Sequence, residues 1–215
     1  MKLPRRISIG RLARFAIAVT LAAPGCSSFL TKQSTTSYLI IDSLQASTGR
    51  EPDKFSGNLA SDVLTYVKKD DGSGRQVLVP TIFADNLIAE FRLAMKDPGT
   101  TETPSAPSAN NFITITRYHV QFIRSDGRST EGVDVPYAFD GAATVTVGAD
   151  GAKLATTLVR VQSKGESPLK ALIGSFGPSL STIAEITFYG KDQTGRDVTV
   201  VGKISVNFAD WGDPT

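Results

Sequence analysis

Residues 184–208 read AEITFYGKDQTGRDVTVVGKISVNF, and this stretch decides the fold class. Ala184, Ile186 and Phe188 alternate with Glu185, Thr187 and Tyr189. After GKDQTGRD, Val198, Val200, Ile204, Val206 and Phe208 alternate with Thr199, Lys203, Ser205 and Asn207, with Gly202 at one apolar place and Val201 at one polar place. Side chains on a strand point to opposite faces in turn, so each run buries one set and hydrates the other. A helical period would scatter the same residues around a cylinder. Two such runs joined by a Gly- and Asp-containing connection predict an antiparallel hairpin.

Working outward, period two dominates. Residues 38–47 and 58–67 read as short strands. Residues 84–95 (ADNLIAEFRLAM) alternate through Leu87, Ala89, Phe91, Leu93 and Met95, while Leu87, Phe91 and Ala94 would also share a helical stripe; the strand neighbours favour a strand. Residues 112–124 place Tyr118, Val120 and Phe122 on one face but Ile113 and Ile115 on the other, which predicts a bulge or change of face near Thr116. Residues 142–147 and 153–161 flank Gly148-Ala149-Asp150-Gly151 and predict a second hairpin. Ser167-Pro168 opens a stretch to Leu172 that suits a single helical turn. Residues 97–111, DPGTTETPSAPSANN, form a Pro/Thr/Ser-rich loop inside one domain, because the roughly sixty residues before it would be a marginal domain alone.

The first 25 residues differ from the rest. Lys2, Arg5, Arg6, Arg11 and Arg14 precede an apolar run, FAIAVTLAA, and no Asp or Glu occurs before Cys26. The run of about nine residues is half of what a membrane-crossing helix needs, so this is the pattern of a cleaved export signal. Taking those five cations from 23 leaves 18 basic against 21 acidic residues, a charge of −3 for the remainder. The remaining cations are scattered, so no basic patch for nucleic acid is expected.

Ala23-Pro24-Gly25-Cys26, with Leu21 five positions before the cysteine, resembles the lipobox of bacterial lipoprotein precursors, and Cys26 is the only cysteine. The resemblance implies cleavage between Gly25 and Cys26, a diacylglyceryl thioether on the Cys26 sulfur and acylation of its new amino group. More than one acyl chain is what stable anchoring requires. Ser27 rather than Asp after the cysteine implies the outer membrane of the cell envelope. The expected organisation is a signal peptide at 1–25, a lipidated flexible tether at 26–37 (composition SSFLTKQSTTS from Ser27) and a single β-domain at 38–211.

About seven or more short strands predict an all-β sandwich. The order strand, helical corner, strand, Asp-x-x-Gly hairpin and final strand resembles the end of bacterial immunoglobulin-like or fibronectin-III-like domains, on Ile186, Phe188, Asp192, Gly195, Val200, Ile204 and Val206. One cysteine excludes the inter-sheet disulfide of antibody domains, and Trp211 stands at the end of the chain rather than in a central strand. The expected fold is thus an antiparallel immunoglobulin-like β-sandwich. As a whole the chain is similar to bacterial lipoproteins of this size.

Chemistry is sparse. His119 is the only imidazole and lies on the polar side of its strand; an envelope hydrolase would need it beside a nucleophile and an orienting carboxylate. No Gly-x-Ser-x-Gly elbow occurs. Asp70-Asp71-Gly72, Asp126-Gly127, Asp150-Gly151 and the 192–197 connection suit tight turns and lack the alternating carboxylates of a calcium loop. Residues 174–178 (GSFGP) have no lysine for a phosphate loop. Residues 132–140 (GVDVPYAFD) suit a recognition loop or a proline-stopped edge strand. The expectation is a non-catalytic binding or structural module of the envelope with no cofactor and no metal, held to the membrane by its lipid and pairing with an envelope protein; a hydrolase using His119 or loop carboxylates is the alternative.

Overall fold

A computed structural model describes residues 35–175 and 177–212. The signal segment, the Gly25–Cys26 junction and most of the expected tether lie outside the described residues. Ten strands dominate: β1 (Ser37–Ser47), β2 (Asn58–Asp62), β3 (Thr65–Asp70), β4 (Gln76–Thr81), β5 (Asp85–Met95), β6 (Ile113–Arg124), β7 (Phe139–Val147), β8 (Ala152–Val159), β9 (Leu180–Asp192) and β10 (Asp197–Ala209). Among the described residues, one short helix, α1 (Val161–Lys164), and 3-10 turns at Ala109–Asn111 and Leu169–Leu172 complete the elements. The protein is all-β.

The strands form a three-stranded sheet, β1-β5-β8, a five-stranded sheet, β2-β10-β9-β6-β7, and the separate hairpin β3-β4. All pairings are antiparallel except β2 with β10. The expected hairpin is β9-β10, in register from Asp197↔Lys191 to Phe208↔Leu180. Its inward residues Ala184, Ile186, Phe188, Ile204, Val206 and Phe208 are buried while Val201 is exposed.

The two larger sheets share one core. Phe91 of β5 meets Phe188 of β9 edge-on, with centroids 4.9 Å apart. Gly202 of β10 leaves space for β1: a Cβ there would stand 2.6 Å from Leu44 Cδ1 and 2.9 Å from Ile41 Cδ1. The missing side chain therefore lets the sheets approach.

Thr116 lies at the bulge, where the β6 register shifts between Ile115 and Arg117. The extra residue returns Ile113 and Ile115 to the same interior as Tyr118, Val120 and Phe122, all buried.

Three expectations need correction. Residues 58–67 are not one strand: β2 ends at Asp62 and β3 begins at Thr65. Buried Val63 donates its N–H to Ala209 O at 3.0 Å, so the chain follows β10 to its end and then turns away into the β3-β4 hairpin. Second, the strands flanking residues 148–151 do not pair as a hairpin. β7 joins β6 and β8 joins β5, so the turn carries the chain from one sheet to the other, with a lone bridge between Gly148 and Gly151. Third, the tether boundary at residue 37 is too late. Thr35 and Ser37 are buried, Lys96 N–H donates to Thr36 O at 3.0 Å, and Ser37 Oγ–H donates to Asn111 O at 3.0 Å.

Candidate functional site

The N-terminal ends of β5 and β3 and the C-terminal end of β10 meet at one pole of the body. Asp85, the first residue of β5, is buried there. Its Oδ1 accepts the Gly49 N–H at 3.1 Å, and its Oδ2 accepts the Ser61 hydroxyl at 2.6 Å. Lys164 Nζ lies 2.8 Å from the same Oδ2, and both side chains are only 1% exposed. Burying two charges costs several kcal/mol each by general experience, which only close pairing and added hydrogen bonds offset. Asp85 receives three donors, so its side is well satisfied.

α1 delivers the lysine. Arg160, in extended conformation, precedes it, and Gly165 ends it with its N–H on the carbonyls of Val161 and Gln162 at 3.3 and 3.0 Å. The helix lasts a single turn, enough to swing Lys164 under the end of β5. One carboxylate thereby ties the β1–β2 loop, β2, β5 and the β8–β9 connection together.

Above this pair lies a cavity of about 360 Å³, whose wall includes Thr48, Gly49, Arg50, Ala60, Thr65, Phe83 and Trp211. Trp211 is held twice: its ring Nε1–H donates to Ser61 O at 3.2 Å and its backbone N–H to Asp62 Oδ1 at 3.2 Å. Nevertheless Trp211 is 42% exposed. Asp62 also takes the Thr65 hydroxyl at 2.7 Å and the Leu64 N–H at 3.4 Å, which fixes the break between β2 and β3. A second hollow, lined by Leu64, Tyr66, Ile173 and Asp210, also borders Trp211.

At the rim, Lys54 Nζ bonds Glu51 Oε1 at 2.6 Å. That hydrogen bond, with the lysine charge, holds the Glu51 carboxyl below its ordinary range. Arg50 is engaged as well. Ser61 and Lys164 thus converge on one oxygen of Asp85, an arrangement that ties the surrounding segments together.

His119 lies elsewhere, midway along β6 on the outer face of the five-stranded sheet. Its Nδ1 is 3.2 Å from Asp140 Oδ1 across the β6–β7 pair, and Arg117 reaches the same oxygen at 3.6 Å. Asp140 is well exposed, so this is an open surface cluster. The Arg117 guanidinium also stacks 3.9 Å from the Tyr189 ring centre.

The acidic turns fold locally. Asp70 Oδ1 accepts the N–H of Gly72 and Gly74, Asp126 Oδ1 that of Arg128, and Asp192 Oδ1 those of Thr194 and Arg196. Among the described residues, no three His, Cys, Asp or Glu side chains converge on a metal position. Residues 132–140 split: Val135 is buried, and β7 begins only at Phe139, as an edge strand of the large sheet. Phe176 of the 174–178 stretch and the expected lipidation site Cys26 lie outside the described residues. No described helix is long and apolar enough to cross a membrane.

Sequence reasoning missed Ser61, Asp85 and Lys164. Asp85 opens an alternating run and Lys164 stands in a polar stretch, QSKGE; neither position betrays burial. The only available signal was Trp211, the sole tryptophan, retained beyond the last strand. No protein-family model, curated protein or solved structure matches this chain.

Proposed function

We propose that this chain is a lipid-anchored, extracytoplasmic module of the bacterial cell envelope, immunoglobulin-like in fold, that binds a ligand at the Trp211 cavity without catalysing a reaction on it. Strand order supports the immunoglobulin-like part. With β1, β5 and β8 as strands A, B and E, the other sheet reads A′-G-F-C-C′ in β2, β10, β9, β6 and β7, with β2 parallel to β10. The β3-β4 hairpin is then an insertion before strand B.

Export and anchoring rest on the cationic, apolar first 25 residues and on Cys26 behind Gly25. The observation that carries the reading is the polarity of the body. The chain enters at Thr35, beside Asn111 and Lys96, whereas Ser47 at the far end of β1 leads into the cavity wall at Thr48 and Gly49. Eleven residues of strand separate these poles by roughly 33 Å. Cys26 lies nine residues before Thr35, a reach of at most about 32 Å. A lipid at Cys26 would join the body at the pole opposite the cavity, which supports access of a soluble or wall-bound ligand to it.

The test is fractionation of cells expressing the native chain and Cys26→Ser. The native protein is expected in membranes with a mass lacking residues 1–25 and carrying acyl chains, and the variant in the soluble fraction. Unchanged membrane retention of the variant, or a native mass without acyl groups, overturns the anchor.

A further inference from the structure

We infer that the cavity walled by Trp211 takes a neutral, polyhydroxylated ligand, a mono- or disaccharide unit. This rests on the reading of that cavity as a binding site and names what it binds. Its volume of about 360 Å³ suits a small molecule rather than a polypeptide segment.

Charge selects against ions. Asp85 is paired with Lys164 at 2.8 Å and Glu51 with Lys54 at 2.6 Å. Asp62 is occupied by Thr65, Leu64 and Trp211, and Arg50 has its own interaction. An ionic ligand would give up its hydration without finding an unspent counter-charge, and burial of an unpaired charge is strongly unfavourable.

The wall nevertheless holds hydrogen-bonding groups. Thr65 donates its hydroxyl proton to Asp62 and keeps its acceptor capacity. Thr48 and the backbone at Gly49 add further polar groups. A purely apolar occupant would cover these groups without replacing their bonds to water, which is costly.

Aromatic surface supplies the other half of the match. Trp211 is held by its two hydrogen bonds yet stays half-exposed in the cavity wall, with Phe83 in the same wall. A pyranose ring offers an apolar face of C–H groups bounded by hydroxyls. The face covers aromatic surface, and the hydroxyls serve the threonines and the Gly49 backbone. A rigid aromatic side chain offers that contact with little entropy to lose.

Trp211 is the only tryptophan of the chain, so its emission reports its own surroundings, and Ala60, which lines this cavity and not the neighbouring hollow, tells the two apart. The full-length protein in detergent is titrated with cellobiose and N,N′-diacetylchitobiose, with glucuronate and glucosamine as charged comparators and a leucine-rich tripeptide amide as the apolar one. Saturable emission changes are expected for at least one neutral disaccharide, at concentrations about tenfold or more below those needed for the charged and apolar probes. Ala60→Phe, which fills the cavity from an exposed strand position, abolishes the response. Trp211→Leu, read by calorimetry because the fluorophore is gone, weakens binding about tenfold or more.

Tighter binding of a charged probe or of the peptide overturns the saccharide assignment and leaves the cavity as a binding site. No saturable response to any probe at millimolar concentration overturns both. Undiminished binding in both variants places the ligand elsewhere and does the same. Anchoring is judged separately by Cys26→Ser.

Discussion

Lys164 Nζ sits 2.8 Å from Asp85 Oδ2, with both side chains sealed from solvent, and the Ser61 hydroxyl shares that oxygen at 2.6 Å. Removing one member leaves the other charge buried without its counterpart. Lys164→Met and Asp85→Leu are each expected to destabilise the protein by about 3–5 kcal/mol, and the double variant by much less than their sum. Urea unfolding of the four proteins in the cycle measures this; additive losses would show that the pair is not coupled.

Phe188 has no exposed surface, meets Phe91 edge-on at 4.9 Å, and stands where the two sheets face each other. Phe188→Ala removes most of a buried aromatic ring and leaves a hole between layers that backbone hydrogen bonds prevent from collapsing. The expected cost is about 3–5 kcal/mol, seen as a lower urea midpoint with an unchanged slope.

Gly190 of β9 lies against β6 so closely that a Cβ would stand 2.5 Å from Thr114 O and 3.0 Å from Ile115 Cα. These are backbone atoms beside the β6 bulge and cannot swing aside. Gly190→Ala is expected to cost about 1–3 kcal/mol. Gly57→Ala, where the new methyl meets nothing within 4 Å, is expected to be neutral or to stabilise by up to about 1 kcal/mol. Thermal unfolding of the two variants side by side reads the contrast.

Asp192 closes the β9-β10 turn, its Oδ1 accepting the Thr194 N–H, the Thr194 hydroxyl and the Arg196 N–H at 2.9, 2.6 and 2.9 Å. Burial is the largest single influence and pushes its pKa up, but these hydrogen bonds together outweigh it, so the net direction is down from 3.8. Such a carboxylate stabilises the fold above its unfolded-state value. The stabilisation is lost as pH falls below 3.8 through the lower folded-state pKa. Asp192→Asn is expected to cost about 1–2 kcal/mol at neutral pH, and the gap to the native protein should close with acidification below 3.8. A constant gap in pH-resolved urea melts would contradict this assignment.

Much of the β-structure was legible because alternation reports directly on a two-faced environment. Leu87, Ala89, Phe91 and Leu93 alternate in β5 and are buried there; the same rule located β9, β10 and the bulge at Thr116. Residues 76–81 (QVLVPT) were passed over. They form β4, a strand of a two-stranded hairpin whose faces are both partly open, so Leu78 is exposed and no core selects its register.

The site was less legible than the fold. His119, the residue chemistry singled out, rests with Asp140 on an open sheet face, while the cavity draws on Thr48, Ala60, Thr65, Phe83 and Trp211 from segments far apart in the chain. Hydropathy places a lysine or aspartate at the surface, and nothing local announces that two of them will neutralise each other inside.

The amino-acid sequence by itself determined the strand character, the Asp-Gly turns and the polar-to-apolar alternation, since these depend on neighbours within a few residues. The tertiary structure alone decided which sheet each strand joins, why β7 and β8 part company across their short turn, and how Asp85 meets Lys164. Those outcomes depend on burying apolar faces against partners dozens of residues away, and on charges whose energy is set by the dielectric that such burial creates.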